Sequence, residues 1–126
     1  MPKAVAPIAR DILFTVTTPC ADATEVVCYK DTMENHIIPN HGEVSHDLIV
    51  NTLNSPDVVY MGSSNPDHLA FINYNELSPS GSPFAVFVNP STKPKPLVVS
   101  ACHRREYKQT KEKEPKEQRI VWSPPK

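Results

Sequence analysis

The sequence predicts an α+β domain. It reads as a short N-terminal strand pair, two helices, then a four-stranded antiparallel meander sheet packed on the main helix, with a basic C-terminal tail. Three observations lead there. Helical spacing of apolar residues is confined to residues 31–54. Four β-branched, apolar runs then follow in close succession between residues 57 and 103. The 14 prolines, set against 3 glycines, interrupt the chain too often for long helices.

Each element has its own signature. Residues 1–10 read as a flexible tail. The run "DILFTVTT" (Asp11–Thr18) is β-branched and aromatic and is stopped by Pro19; "TEVVCYK" (Thr24–Lys30) is a second short strand. "DTMENHII" predicts a short helix that Asp31 caps, with Glu34 as the reciprocal partner and Pro39 as the stop. The next helix, "HDLIVNTLN", lines up Val44, Leu48, Ile49 and Leu53 on one face. Ser45 caps its start and Asn54-Ser55-Pro56 ends it. The strands "DVVYMGS", "HLAFINYN", "PFAVFVNP" and "PLVVSACH" are joined by turn-like segments short enough to impose antiparallel neighbours. The predicted domain is therefore 11–108. Residues 109–126 form a charged, proline-containing tail, in which "IVWSPP" can return to the core or add an edge strand.

Charge is distributed unevenly. Up to residue 102, five basic groups face ten acids; from residue 103 onward, eight basic groups face four acids. The C-terminal end is the positive pole, where a polyanion is attracted. Cys20, Cys28 and Cys102 show no CxxC spacing and cannot all pair within the chain. They fit a reducing compartment. No apolar run approaches the length that crosses a bilayer, and "MPKAVAPIAR" lacks the apolar centre of a signal peptide. The expectation is a cytoplasmic protein with no membrane partner.

His36, His41 and His46 are evenly spaced within "ENHIIPNHGEVSH". Imidazole both transfers protons near neutral pH and binds metals. Pro39 stands between His36 and His41, so they cannot share a helix face as the i, i+4 pair of a zinc helix does. No metal site and no cofactor are therefore expected. Cys102 next to His103 does not make a nucleophile pair, because neighbours on a strand point to opposite faces. Metal-free RNA cleavage suits the residues better. In it the 2′-hydroxyl attacks the adjacent phosphorus, one group takes a proton and another gives one. His36 and His41 from the helical half are candidates for those two roles, with Ser100 and Tyr107 contributed by the last strand and its exit. Arg104, Arg105 and Lys108 are candidates to neutralise phosphate.

The order "NHII" (Asn35–Ile38), "NH" (Asn40–His41), a helix, "SPDVVY" (Ser55–Tyr60), "FAVFV" (Phe84–Val88) and "LVVSA" (Leu97–Ala101) resembles a nuclease superfamily. Similar patterns occur in phage-associated members of the group that holds barnase, EndoU, colicin and RelE-type nucleases. The likeness covers residues 30–108. It implies that His36 and His41 fall at active-site histidine positions and Ser100 at a terminal-strand hydroxyl position; Arg104 and Tyr107 are carried over more weakly. The expected function is a metal-independent endoribonuclease acting on RNA or tRNA, in a toxin or phage-conflict setting, with a protein inhibitor or antitoxin as a further partner. The alternative is a non-catalytic binding or scaffold protein on the same fold. A metal-dependent enzyme built on the histidine cluster is the third reading.

Overall fold

A computed structural model of the chain describes residues 11–20, 23–40, 42, 44–62, 67–92, 95–107 and 120–123. The predicted flexible tail (1–10), His41 and Lys108 lie outside the described residues, as does most of the basic segment after Tyr107.

Among the described residues the fold is mixed α+β, with two helical segments and one seven-stranded sheet. The strands are β1 (Ile12–Thr17), β2 (Glu25–Tyr29), β3 (Val58–Met61), β4 (Leu69–Leu77), β5 (Pro83–Asn89), β6 (Leu97–His103) and β7 (Ile120–Trp122). Their order across the sheet is β1-β2-β6-β5-β4-β3-β7. Neighbours are antiparallel except β2 and β6, which meet in parallel at Val27 and Leu97. The N-terminal strand pair is thus part of the main sheet. Val27 N–H donates to the Pro96 carbonyl at 2.9 Å, and Lys95 forms an ion pair with Glu25 beside that junction.

The β1–β2 connection is closed by one side chain. Thr18 Oγ1 accepts from Cys20 N–H at 3.2 Å and donates to the Ala23 carbonyl at 2.5 Å. This satisfies backbone groups that Pro19 would otherwise leave without sheet partners.

Alternation along the strands separates two cores. On the first face Val26, Cys28, Val59, Phe71, Phe84, Val86, Val88, Val98 and Ala101 meet Met33 and Ile37 of the first helical segment and Ile49 and Leu53 of the second. Both helical segments therefore cover this face, whereas the sequence suggested only the second. Burying side chains such as Ile49 and Leu53 contributes about 1.5–3 kcal/mol each. On the second face Val58, Tyr60, Ala70, Ile72 and Ala85 pack with Tyr107.

Helix boundaries depart from expectation at the first segment. It is α-helical over Lys30–Thr32, π-helical over Met33–Ile37 and α-helical again over Ile38–Asn40. Tyr29 is its N-cap and provides no side-chain cap; Asp31 lies inside the first turn, where its Oδ1 accepts from Thr32 N–H at 2.9 Å. Pro39 does not stop the segment. A proline has no N–H to donate, and its ring crowds the carbonyl four residues back. The wider π turn, in which Ile38 N–H reaches the Met33 carbonyl, opens the ladder just ahead of it. The second helix, His46–Asn54, begins where the cap was expected: Ser45 Oγ accepts from Leu48 N–H at 3.2 Å.

Within residues 109–126, the "IVWSPP" run does what its apolar character allowed and adds an edge strand. Ile120–Trp122 forms β7 along β3, and Val121 and Trp122 pack against the first core. An apolar strand beside an otherwise open edge buries side chains and pairs backbone groups together.

Candidate functional site

β6 contributes the catalytic candidate Ser100, and the segment after it the binding candidates. Across β5, Val98 pairs with Val88 but Ser100 pairs with Phe87, so Val99 is an extra residue on β6. Such a bulge reverses the alternation. Val98 points into the first core, and regular alternation would send Ser100 the same way; instead Ser100 shares the second face with Phe87, and Ala101 returns to the first. Cys102 then lies on the second face opposite Ala85 and is buried, while His103 lies on the first, edge-on to Phe84 with ring centroids 5.5 Å apart. Cys102 and His103 point apart, as strand geometry requires.

After β6 the chain crosses the second face. Arg104 N–H donates to the Pro83 carbonyl at 2.9 Å, and the Arg104 guanidinium carbon sits 5.1 Å from the centre of the Phe87 ring. A single 3₁₀ turn, Arg105–Tyr107, follows. It brings Tyr107 onto Tyr60 of β3, nearly parallel at 5.6 Å, with Phe87 at 6.2 Å. Tyr74 Oη donates to the Tyr107 carbonyl at 3.2 Å and lies 3.4 Å from Tyr60 Oη. Tyr107 is fully buried. Its expected role as a substrate contact is therefore corrected: its ring fills the second core, where a ligand cannot reach it. Arg104 is half-buried and Arg105 exposed at the exit of β6.

His36 belongs to the other side of the molecule. The π-helical turn buries Met33 and Ile37 against the first face and leaves His36 exposed. Asn40 Nδ2 donates to the His36 carbonyl at 2.8 Å and lies 3.4 Å from His36 Nδ1. His36 and Ser100 are thus separated by the thickness of the sheet and the helical layer, and the structure does not bring them to one phosphate. Ser100, opposite Phe87 in the register, and Arg104, over the Phe87 ring, by contrast share the second face.

The remaining groups carry little chemistry. His46 is exposed at the start of the second helix, its ring centroid 6.0 Å from that of Phe14. His68 is half-buried, next to β4. Among the described residues, no group of three His, Cys, Asp or Glu side chains could hold a metal ion. Cys20, Cys28 and Cys102 are buried and free of disulfides. Burial, and secondarily the Asp31 carboxylate, pushes the Cys28 thiol from its ordinary 9.0 up to about 12. It stays protonated and is a poor nucleophile. No helix among the described residues is long and apolar enough to cross a membrane.

The residue missed from the sequence is Phe87, which supports Arg104 and pairs with Ser100. Its only sequence signal was a place in an apolar run. Compared with protein-family models, curated proteins and solved structures, the chain matches none at a significant level.

Proposed function

We propose that the chain is a binding module for RNA, attached electrostatically through Arg104, Arg105 and the basic segment after them. The observation that carries this reading is the seat of Arg104 on Phe87, on the face shared with Ser100 and away from His36. A guanidinium held over a ring within about 6 Å is fixed in position and keeps its positive charge. The excess of basic groups from residue 103 onward extends that charge along the chain. Phosphate contacts of this kind give salt-sensitive, sequence-tolerant binding. The test is filter binding of labelled RNA across a salt series. Affinity falls steeply with salt, and Arg104→Ala and Arg105→Ala each weaken binding and flatten the log–log slope by about 1. Salt-insensitive binding, or variants that bind like the parent chain, overturns it.

A second reading is supported by the exposure of His36 and the Asn40 amide against its ring. In it the chain is a metal-independent endoribonuclease in which His36 and His41 move the protons and Ser100 takes no part. The likeness to the barnase, EndoU, colicin and RelE group belongs with this reading. Incubating the same RNA with and without chelator separates the cases. Cleavage that resists chelator, leaves a 2′,3′-cyclic end and disappears in His36→Ala or His41→Ala supports the nuclease. Cleavage lost to chelator supports a metal-dependent enzyme, and binding without cleavage supports the module.

A further inference from the structure

We propose that the second face carries a site for one unpaired nucleobase, floored by the Phe87 ring and edged by Ser100 and Asn89, so that the chain selects single-stranded RNA over duplex. The inference rests on the binding-module reading and deepens it from charge to substrate class.

Strand register lays out the site. Phe84, Val86 and Val88 of β5 face the first core, so Ala85, Phe87 and Asn89 face the other way. Ala70 of β4 and Ser100 of β6 stand on either side of Phe87. Ala70 is also the partner of Tyr60, and Tyr107 lies on Tyr60 with its ring 6.2 Å from that of Phe87. Tyr107 therefore fills the space above Ala70. Arg104 reaches back from the end of β6, its guanidinium carbon 5.1 Å from the centre of the Phe87 ring. The remaining neighbours of that ring are two short polar side chains, Ser100 across the ladder and Asn89 two residues along β5. Phe87, Ser100 and Asn89 are all half-buried, so each keeps some access to solvent.

The chemistry of these three groups fits a base. Asn89 Oδ1 accepts from Ser91 N–H at 3.0 Å, which settles which way its amide points. Among the described residues, neither the Asn89 NH₂ group nor the Ser100 hydroxyl has a hydrogen-bond partner. An amide donor and a hydroxyl that both gives and accepts match the mixed donors and acceptors on a base edge. Stacking on the ring tolerates any sequence, because every base has a π-face. The basic groups from residue 103 onward supply the complementary charge for the phosphates. In an A-form duplex the bases are stacked on one another, and side chains cannot read the deep, narrow major groove. A single strand can turn one base out onto a ring.

The test is fluorescence anisotropy of a labelled single-stranded RNA and of the same strand in a duplex, together with NMR of the full chain carrying ring-labelled phenylalanine. The single strand binds about tenfold tighter than the duplex. At saturation it shifts the Phe87 ring signals upfield, identified as those lost in Phe87→Tyr, and leaves the Phe14 signals in place. Phe87→Leu weakens single-strand binding about tenfold, whereas Phe87→Tyr retains it. Asn89→Ala and Ser100→Ala each weaken it several-fold at an unchanged salt slope, because neither side chain carries charge. Equal affinity of the parent chain for strand and duplex overturns the inference without any variant having to fold. Phe87 signals that stay in place, or Asn89→Ala and Ser100→Ala chains that both bind like the parent, also overturn it. If binding is still salt-dependent in those cases, the module stands and only the base site falls. If no RNA binds in a salt-dependent way, the module falls and the base site with it.

Discussion

Tyr107 anchors the exit of β6 by burying its whole ring between Tyr60 and Phe87, while its carbonyl receives the Tyr74 hydroxyl. Removing a ring of that size leaves a cavity as well as losing burial. Tyr107→Ala is expected to cost about 3–5 kcal/mol, measured by urea unfolding. A change within about 0.5 kcal/mol would show that the ring packs against nothing essential. Cys28 gives a prediction in pH. In the folded chain its thiol is pushed from 9.0 up to about 12, chiefly by burial. Below pH 9 both folded and unfolded chains keep the proton, and the group has no effect on pH dependence. Between about 9 and about 12 the unfolded chain releases it and the folded chain does not, so stability falls as pH rises through that window. Stability of the parent chain should fall more steeply with pH than that of Cys28→Ala across that window; equal slopes in both throughout would mean the thiol ionises freely in the fold.

The second helix depends on its cap. Ser45→Ala removes the acceptor for Leu48 N–H and is expected to destabilise by about 1 kcal/mol, read from the denaturation midpoint. Ser45→Asp restores the acceptor and should recover most of the loss; failure to recover would point to packing rather than capping. Strands were legible because β-branched runs bounded by proline and serine have few other uses, and the expected runs enclose β1, β2, β3, β5 and β6 with residues to spare at most ends. Only β4 outran its prediction, extending to Leu77 where it pairs with Pro83. The first helical segment was legible in existence but not in its ends. A proline usually ends a helix, and nothing local announces the π turn that lets this one continue.

At the scale of the molecule, the chain crosses the second face at residues 104–107, and β7 extends the sheet outside β3. Val59 pairs with Trp122, and Trp122 reaches the first core. Trp122→Ala is expected to cost about 2 kcal/mol. Tm should fall by several degrees, and light scattering should rise on heating as β3 becomes an open edge. An unchanged Tm would make β7 an accessory strand. Among the candidate site residues, the place of His36 on the first helical segment and the cationic exit of β6 could be read from the sequence. That Ser100 turns away from the helices could not, because the single extra residue at Val99 is set by pairing with β5.

The sequence by itself determined the mixed α+β class, the order of the strands along the chain, the Ser45 cap and the uneven charge. These follow from local propensity and from counting. Tertiary structure alone decided which strands became neighbours and joined the N-terminal pair to the main sheet. It also buried Tyr107 and put His36 and Ser100 on opposite sides. The physical reason is that side-chain direction on a strand has a period of two, so one bulge, fixed only by a partner strand, exchanges the faces of every residue beyond it.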